Sequence, residues 1–232
     1  MSLIKAMKVK TSEIIAGLTT TIIFVAIFSI VFEVPNVLPD FSDFASTFAF
    51  DKSSEIKKKN KPTIRSSGNE GKVIDTFNGV NIYYNGGVAN IQGRNVTSDG
   101  YNLGLKYQCV EFVKRYYYEF YNHQMPNSYG NAKDFFSYSI SDGDINADRG
   151  LLQFKNPSYV RPKIGDLLIF GATQWNEFGH VAIISNVKNN TIEIAQQNPG
   201  SNNPSRKSYS LNSNNGSFSI DSPYVLGWLR KS

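Results

Sequence analysis

Three short stretches of this 232-residue chain hold residue types that could together carry out nucleophilic chemistry. The first, "LGLKYQCVEFVKRYYYEFYN", contains Cys109, the only cysteine in the chain. The second, "GHVAIISNV", begins with a glycine and His180; the third, "IEIAQQN", ends in Gln196, Gln197 and Asn198. A thiol attacks a carbonyl best as thiolate, and the partial positive charge and free N–H groups of a helix N-terminus favour that form. A nearby imidazole can take the thiol proton and pass it to a leaving amine. A third polar group must hold the imidazole by its other nitrogen, and first-turn N–H groups can meet an oxyanion. Taken alone, Cys109 is equally a small core residue, His180 a structural or exposed histidine, and the amides ordinary strand-end residues. The order in which the three occur gives them weight.

That chemistry needs a helix and two strands. In "QCVEFVKRYYYEFYN", Cys109, Phe112, Tyr116 and Phe120 fall on one stripe flanked by Val110, Val113 and Tyr117, which predicts an amphipathic helix with Cys109 in or at its first turn. "RPKIGDLLIFGA" predicts a strand over 167–170, "GHVAIISNV" a strand from His180, "TIEIAQQN" another after an Asn189-Asn190 turn, and "YVLGWLRKS" a closing strand. "GVNIYYNGGVANI" reads as a strand, a turn at 85–87 and a second short strand. "QQNPGSNNPSRKSYSLNSNNGSF" reads as a long polar loop, either a groove wall or plain surface. The sum is an α+β domain over 72–232, one major helix followed by an antiparallel meander. Candidate substrate contacts are Gln108, directly before the cysteine, and Trp175 and Phe178, just before His180; the two aromatics could also be core or lid packing. Asp142, Asp144, Asn146 and Asp148 alternate like half of a calcium loop, but Ala147 stands at the glycine position and Gln153 at the bidentate glutamate position. The stretch is read as a solvated acidic turn, with no metal expected.

"YQCVEFVKR", "RPKIGDLLIF", "FGHVAIISNV" and "IEIAQQN" resemble the four blocks of CHAP domains, papain-like cysteine amidases and peptidases of bacterial peptidoglycan hydrolases and of glutathionylspermidine amidase. The resemblance runs from about Val73 to the C-terminus. It implies a papain-like fold, with the cysteine helix packed on an antiparallel sheet, Cys109 as nucleophile and His180 as base and acid. In the third block the family commonly has Glu-Gln-Asn, so Gln196 stands where a carboxylate would orient the histidine. An amide oxygen can still accept the imidazole N–H, but it stabilises an imidazolium less. Asn198 matches the family's asparagine and is expected to share that work. Glu193 lies three residues before Gln196, so its carboxylate points to the opposite strand face.

Elsewhere the chain reads as an exported, anchored protein. Lys5, Lys8 and Lys10 precede an uncharged run over 14–32, long enough to make a helix of roughly 28 Å. This predicts a cytoplasmic N-terminus over 1–13 and an uncleaved transmembrane signal-anchor over 14–34, with the remainder outside the cytoplasm. A cleaved signal is the alternative. A charged, polar segment over 35–71 predicts a flexible stalk. Net charge is +5, and from Lys72 onward 15 Lys and Arg face 12 Asp and Glu. Without a dense basic patch, nucleic acid is excluded as a partner. A lone cysteine excludes an internal disulfide and any CxxC zinc or redox site.

The functional expectation is a membrane-anchored cysteine hydrolase cutting amide bonds in peptidoglycan through an acyl-enzyme, with no cofactor and with room for an envelope protein partner. Two alternatives stand beside it: a glutathionylspermidine-type amidase, and a wall- or partner-binding module in which Gln196 marks decayed catalysis.

Overall fold

The computed structural model describes residues 68–200 and 203–232. The expected cytoplasmic N-terminus, the signal-anchor and nearly all of the stalk lie outside the described residues. Among those described, no helix is long and apolar enough to cross a membrane.

Among the described residues, twelve strands and one α-helix follow in chain order: β1 (Val73–Phe77), β2 (Val80–Tyr83), β3 (Arg94–Val96), β4 (Asn102–Leu105), α1 (Cys109–Tyr121), β5 (Ile145–Asn146), β6 (Leu151–Lys155), β7 (Leu167–Phe170), β8 (His180–Val187), β9 (Thr191–Ala195), β10 (Arg206–Asn214), β11 (Ser217–Ile220) and β12 (Val225–Arg230). A short 3-10 helix, Ala132–Phe135, lies between α1 and β5. The architecture is α+β and mostly sheet. Eight strands form one antiparallel sheet in the order β11-β10-β9-β8-β7-β12-β6-β5, while β1-β2 and β3-β4 are separate hairpins.

Strand alternation sorts the large sheet into two apolar faces. Leu167, Ile169, Val181, Ile183, Ala195 and Leu229 join α1's Phe112, Val113, Tyr116 and Tyr117 in one core. Leu168, Phe170, Ala182, Ile184, Ile192, Ile194 and Trp228 join Leu211 and Ile220 of the β10-β11 ribbon in the other. Because both faces of β7 are covered, all four of its residues are buried and its sequence is an unbroken apolar run.

α1 forms where its apolar stripe predicts, but the stripe is buried only through Tyr117. Phe120 is 47% exposed and stacks on Tyr116 instead of entering the core. Asn122 closes the helix in the left-handed conformation with φ 48°.

Three expectations need correction. Residues 88–91 are not a strand: Asn85 and Asn90 hydrogen-bond across the segment, which fixes a loop, and the chain next pairs as β3. The supposed polar loop contains β10 and β11, a nine-residue and a four-residue strand joined at Asn215-Gly216. Its Ser and Asn side chains conceal the pattern, since Leu211 is the one buried residue of β10. The acidic turn is not simply solvated: Asp142 accepts the Lys155 N–H and the Ser158 hydroxyl, and Asn146 is buried with its amide donating to Phe135 O and Gln153 Oε1. The closing strand forms as expected, as β12, and pairs between β7 and β6.

Candidate active site

Cys109 is the first residue of α1, half-buried against the helix-side core. Its N-cap, Gln108, has extended backbone and makes no side-chain cap. The first-turn amides therefore keep their outward donor capacity. Glu111 supplies an acidic side chain in that turn, as the helix dipole favours. Burial pushes the thiol up to about 11, while the amides of Val181, Val110 and Cys109 itself act in the opposite direction. The Val181 amide places the sulfur beside the backbone of the residue that follows His180.

His180 opens β8 and pairs with Phe170 of β7, their rings 5.9 Å apart. Gly179 makes this approach possible. Its φ is +72°, and a Cβ there would lie 2.5 Å from Phe170 O and 2.9 Å from Lys133 Cβ. Just upstream, the Lys133 amide donates to Phe178 O, so the 3-10 helix pins the chain entering β8.

The imidazole Nε2 lies 3.0 Å from Gln196 Oε1, just past the end of β9. The Gln196 amide donates from its own Nε2 to Pro204 O at 3.0 Å, which turns its oxygen toward the ring. Nε2 of His180 therefore carries the hydrogen, and Nδ1 is left as the basic nitrogen. Burial pushes His180 down to about 4; the Gln196 hydrogen bond opposes that shift and the charge of Lys207 adds to it. Near neutral pH both thiol and imidazole are uncharged. The sulfur lies beside the Val181 amide on the α1 side, and the ring lies beside Phe170 and Gln196; among the described residues no hydrogen bond joins the thiol to the imidazole.

The other expected site residues divide. Asn198, with φ 51°, leaves the strand and donates to Val88 O and Gln108 Oε1, so it does not share the imidazole. The Gln108 amide in turn donates to Val88 O and Asn90 O. Gln108 and Asn198 thus brace the 85–90 loop, and the amide of Gln108 is committed to backbone. Trp175 and Phe178 are 88% and 56% exposed, which rules out core packing for both. Glu193 accepts from Ser185 and pairs with Arg206, away from the ring as strand alternation requires.

Gln197 was missed by sequence reasoning. It is fully buried, donates to Gln108 O at 2.9 Å and Glu111 Oε2 at 2.8 Å, and accepts the Tyr83 N–H at 2.8 Å. Glu111 also receives Asn95 and Arg115. Gln197 therefore bolts the head of α1 to the end of β9, one residue from Gln196. Its signal was available: two neighbouring amides at a strand end, Gln196 and Gln197, face opposite sides.

A cavity of about 230 Å³ borders His180 and Gln196 and extends past Phe170, Lys207 and Tyr209. Cys109 does not line it.

The CHAP domain model matches residues 98–198, from just before β4 to the residue after Gln197. The chain is 36% identical over 107 residues to the bifunctional glutathionylspermidine synthetase/amidase of Escherichia coli (strain K12), covering 45% of this chain and 17% of that protein. It is 27% identical over 106 residues to the trypanothione synthetase of Crithidia fasciculata, covering 46% of this chain and 16% of that protein. The chain thus spans less than a fifth of the length of these relatives. The crystal structure of Ly7917 with the hydrolyzing product of MDP aligns at 21% identity and a TM-score of 0.35 over 53% of each chain.

Proposed function

We propose that this chain is a CHAP-type cysteine amidase or endopeptidase that cuts an amide bond of peptidoglycan outside the cytoplasmic membrane, to which the N-terminal segment anchors it. The observation that carries the reading is the His180–Gln196 pair, held in one tautomer, together with a helix-heading cysteine whose sulfur lies against the amide of Val181, the residue after His180, all within the span that the CHAP model matches. The papain-like arrangement of helix and sheet belongs to the same proposal.

Because both groups are neutral, the imidazole acts as general base during attack, not as half of a standing ion pair. Nδ1 takes the thiol proton as Sγ bonds to the carbonyl carbon, and the carbonyl oxygen becomes an oxyanion facing first-turn amides of α1. The imidazolium then protonates the amide nitrogen, the C–N bond breaks and the amine leaves. Water attacks the thioester with His180 again as base, releasing the acid and the free thiol. Gln196 keeps Nε2–H in place throughout. Roles for Trp175 and Phe178 as groove residues follow from their exposure beside His180.

A second reading rests on the 36% identity to a glutathionylspermidine synthetase/amidase, and would make a thiol-conjugate amide the substrate. One experiment separates them. The full chain in detergent and its Cys109→Ala variant are incubated with purified peptidoglycan and, in parallel, with glutathionylspermidine, and mass spectrometry identifies the products. Wall fragments released by the parent alone support the proposal. Cleavage of the conjugate alone supports the second reading. No cleavage of either overturns both and leaves a binding module.

A further inference from the structure

We propose that Lys207 makes the cavity beside His180 a recognition site for a carboxylate on the leaving-amine side of the substrate. The inference rests on the hydrolase reading and refines its substrate class by charge.

Four observations carry it. The cavity touches the imidazole and Gln196 but not Cys109. The acyl half of a substrate must meet the sulfur, whereas its nitrogen must meet the imidazole that protonates it. A cavity on the imidazole side therefore takes what is attached to that nitrogen. Second, among the described residues Lys207 is the one with a permanently charged side chain lining it, and no carboxylate of those residues lines it. Third, that charge is unpaired. Its neighbour Arg206 points to the other face of β10 and binds Asp75 at 2.6 Å and 3.3 Å, whereas Lys207 forms no ion pair among the described residues. Instead its ammonium lies 5.0 Å from the ring centre of Tyr209, two residues along on the same face. Fourth, the Lys207 charge is felt at the imidazole, so the ammonium and the reacting nitrogen share one small volume.

A carboxylate entering there gains an ammonium partner at the solvent-exposed rim of the cavity, with the Asn176 amide as a further polar wall. It also cancels a field that otherwise disfavours the imidazolium on which amine departure depends. A polyamine leaving group such as spermidine meets the same ammonium with like charge, so the site's electrostatics favour an acidic peptide over a polyamine conjugate.

The test uses the full chain in detergent carrying Cys109→Ala, so that binding is read whether or not hydrolysis occurs. The probes are acetyl-alanyl-glutamate, with each configuration of glutamate, its fully amidated counterpart, and acetyl-glutamyl-alaninamide, which moves the carboxylate to the acyl side. Calorimetric affinities are expected to favour an acetyl-alanyl-glutamate over the other two by about tenfold. Lys207→Ala should abolish that preference, Lys207→Arg retain it, and Lys207→Glu invert it toward acetyl-alanyl-lysinamide. With the Cys109 parent, Lys207→Ala should raise KM for the acidic probe with a smaller change in kcat. Equal affinity for charged and amidated probes, or a preference that survives Lys207→Glu, overturns the proposal. Charge-selective binding without turnover by the parent upholds the site and refutes the hydrolase reading.

Discussion

Gln196 and Gln197 are chemically identical neighbours at the end of one strand, and they serve two differently built regions. On the helix side, Gln197, Glu111, Arg115 and the backbone of Gln108 and Tyr83 form a closed buried network. On the imidazole side, Gln196 satisfies His180 and Pro204, but the space beyond is open and holds an ammonium with no ion-pair partner among the described residues. The first region fixes where the nucleophile stands. The second keeps polar capacity free for a ligand. Damage to the first should appear as lost stability, and damage to the second as lost activity in a folded protein.

The largest expected effect tests the chemistry where the regions meet. Cys109→Ala removes only a sulfur from a half-buried position, so the melting temperature should move little. Turnover should fall on the order of 10⁴-fold or more, as when other enzymes lose a nucleophile. A variant that retains even a tenth of parental release from peptidoglycan would remove the cysteine mechanism.

Next comes the bolt. Gln197→Leu leaves Glu111 Oε2 without its amide donor and leaves the Tyr83 N–H and the Gln108 carbonyl each short of a partner. The Tyr83 N–H loses its partner outright, while the Gln108 carbonyl keeps the Phe112 N–H and Glu111 keeps Asn95 and Arg115, giving a loss of about 2–4 kcal/mol at roughly 1–3 kcal/mol for a stranded buried group and less for each weakened one. Urea unfolding measures it. Gln196→Leu should cost less stability and more activity, because its oxygen serves the ring. If the two variants lost stability and activity in equal proportion, the distinction between the two regions would collapse.

The positions of Cys109, His180 and Gln196 in the fold were legible because each stands at an end of a strongly patterned element: the head of an amphipathic stripe, the start of an apolar strand, and the close of an alternating one. The gap between neighbouring amides was not. Asn198 adopts φ 51°, so strand alternation no longer dictates its direction, and it bonds to Gln108 instead of the histidine. Gln108 looked like a substrate contact because it precedes the cysteine, yet nothing local to it announces the carbonyls of Val88 and Asn90 that claim its amide. β10 escaped notice because a ribbon with one buried residue carries almost no hydrophobic period. Sequence pattern records burial, and the misread residues owe their positions to polar partners distant in the chain.

A smaller effect sharpens the comparison through charge alone. Gln196→Glu replaces a neutral acceptor of the imidazole with an anionic one, which favours the imidazolium and raises His180 from about 4. In the parent, with the thiol at about 11, alkylation of Cys109 by iodoacetamide should be slow at pH 5–7 and climb as pH rises toward 11. In the variant, a thiolate–imidazolium pair becomes accessible, and alkylation near pH 6 should quicken by about tenfold, a gain of roughly 1.4 kcal/mol for the ion pair. Stability should move with it. A histidine held below its unfolded value of 6.5 binds fewer protons folded than unfolded between that value and about 4. The parent therefore loses stability as pH falls through this window, and the variant should lose less. Unchanged alkylation and an unchanged acid limb would mean that the residue-196 side chain does not govern the ring.

The weakest expected effect tests how far the open region extends. Trp175 is 88% exposed on the loop leading into His180, and its backbone is held by the Thr173 hydroxyl, not by its indole. Trp175→Ala should leave urea unfolding unchanged, since little apolar area returns to water. If the indole forms part of the groove, KM for a wall fragment should rise several-fold while kcat stays near the parental value, because the contact is made equally in ground and transition states. A fall in kcat without a change in KM would place the ring in the chemistry itself and extend the reacting site along the loop. No change in either constant would confine the open region to the cavity beside Lys207, leaving recognition to charge and not to stacking.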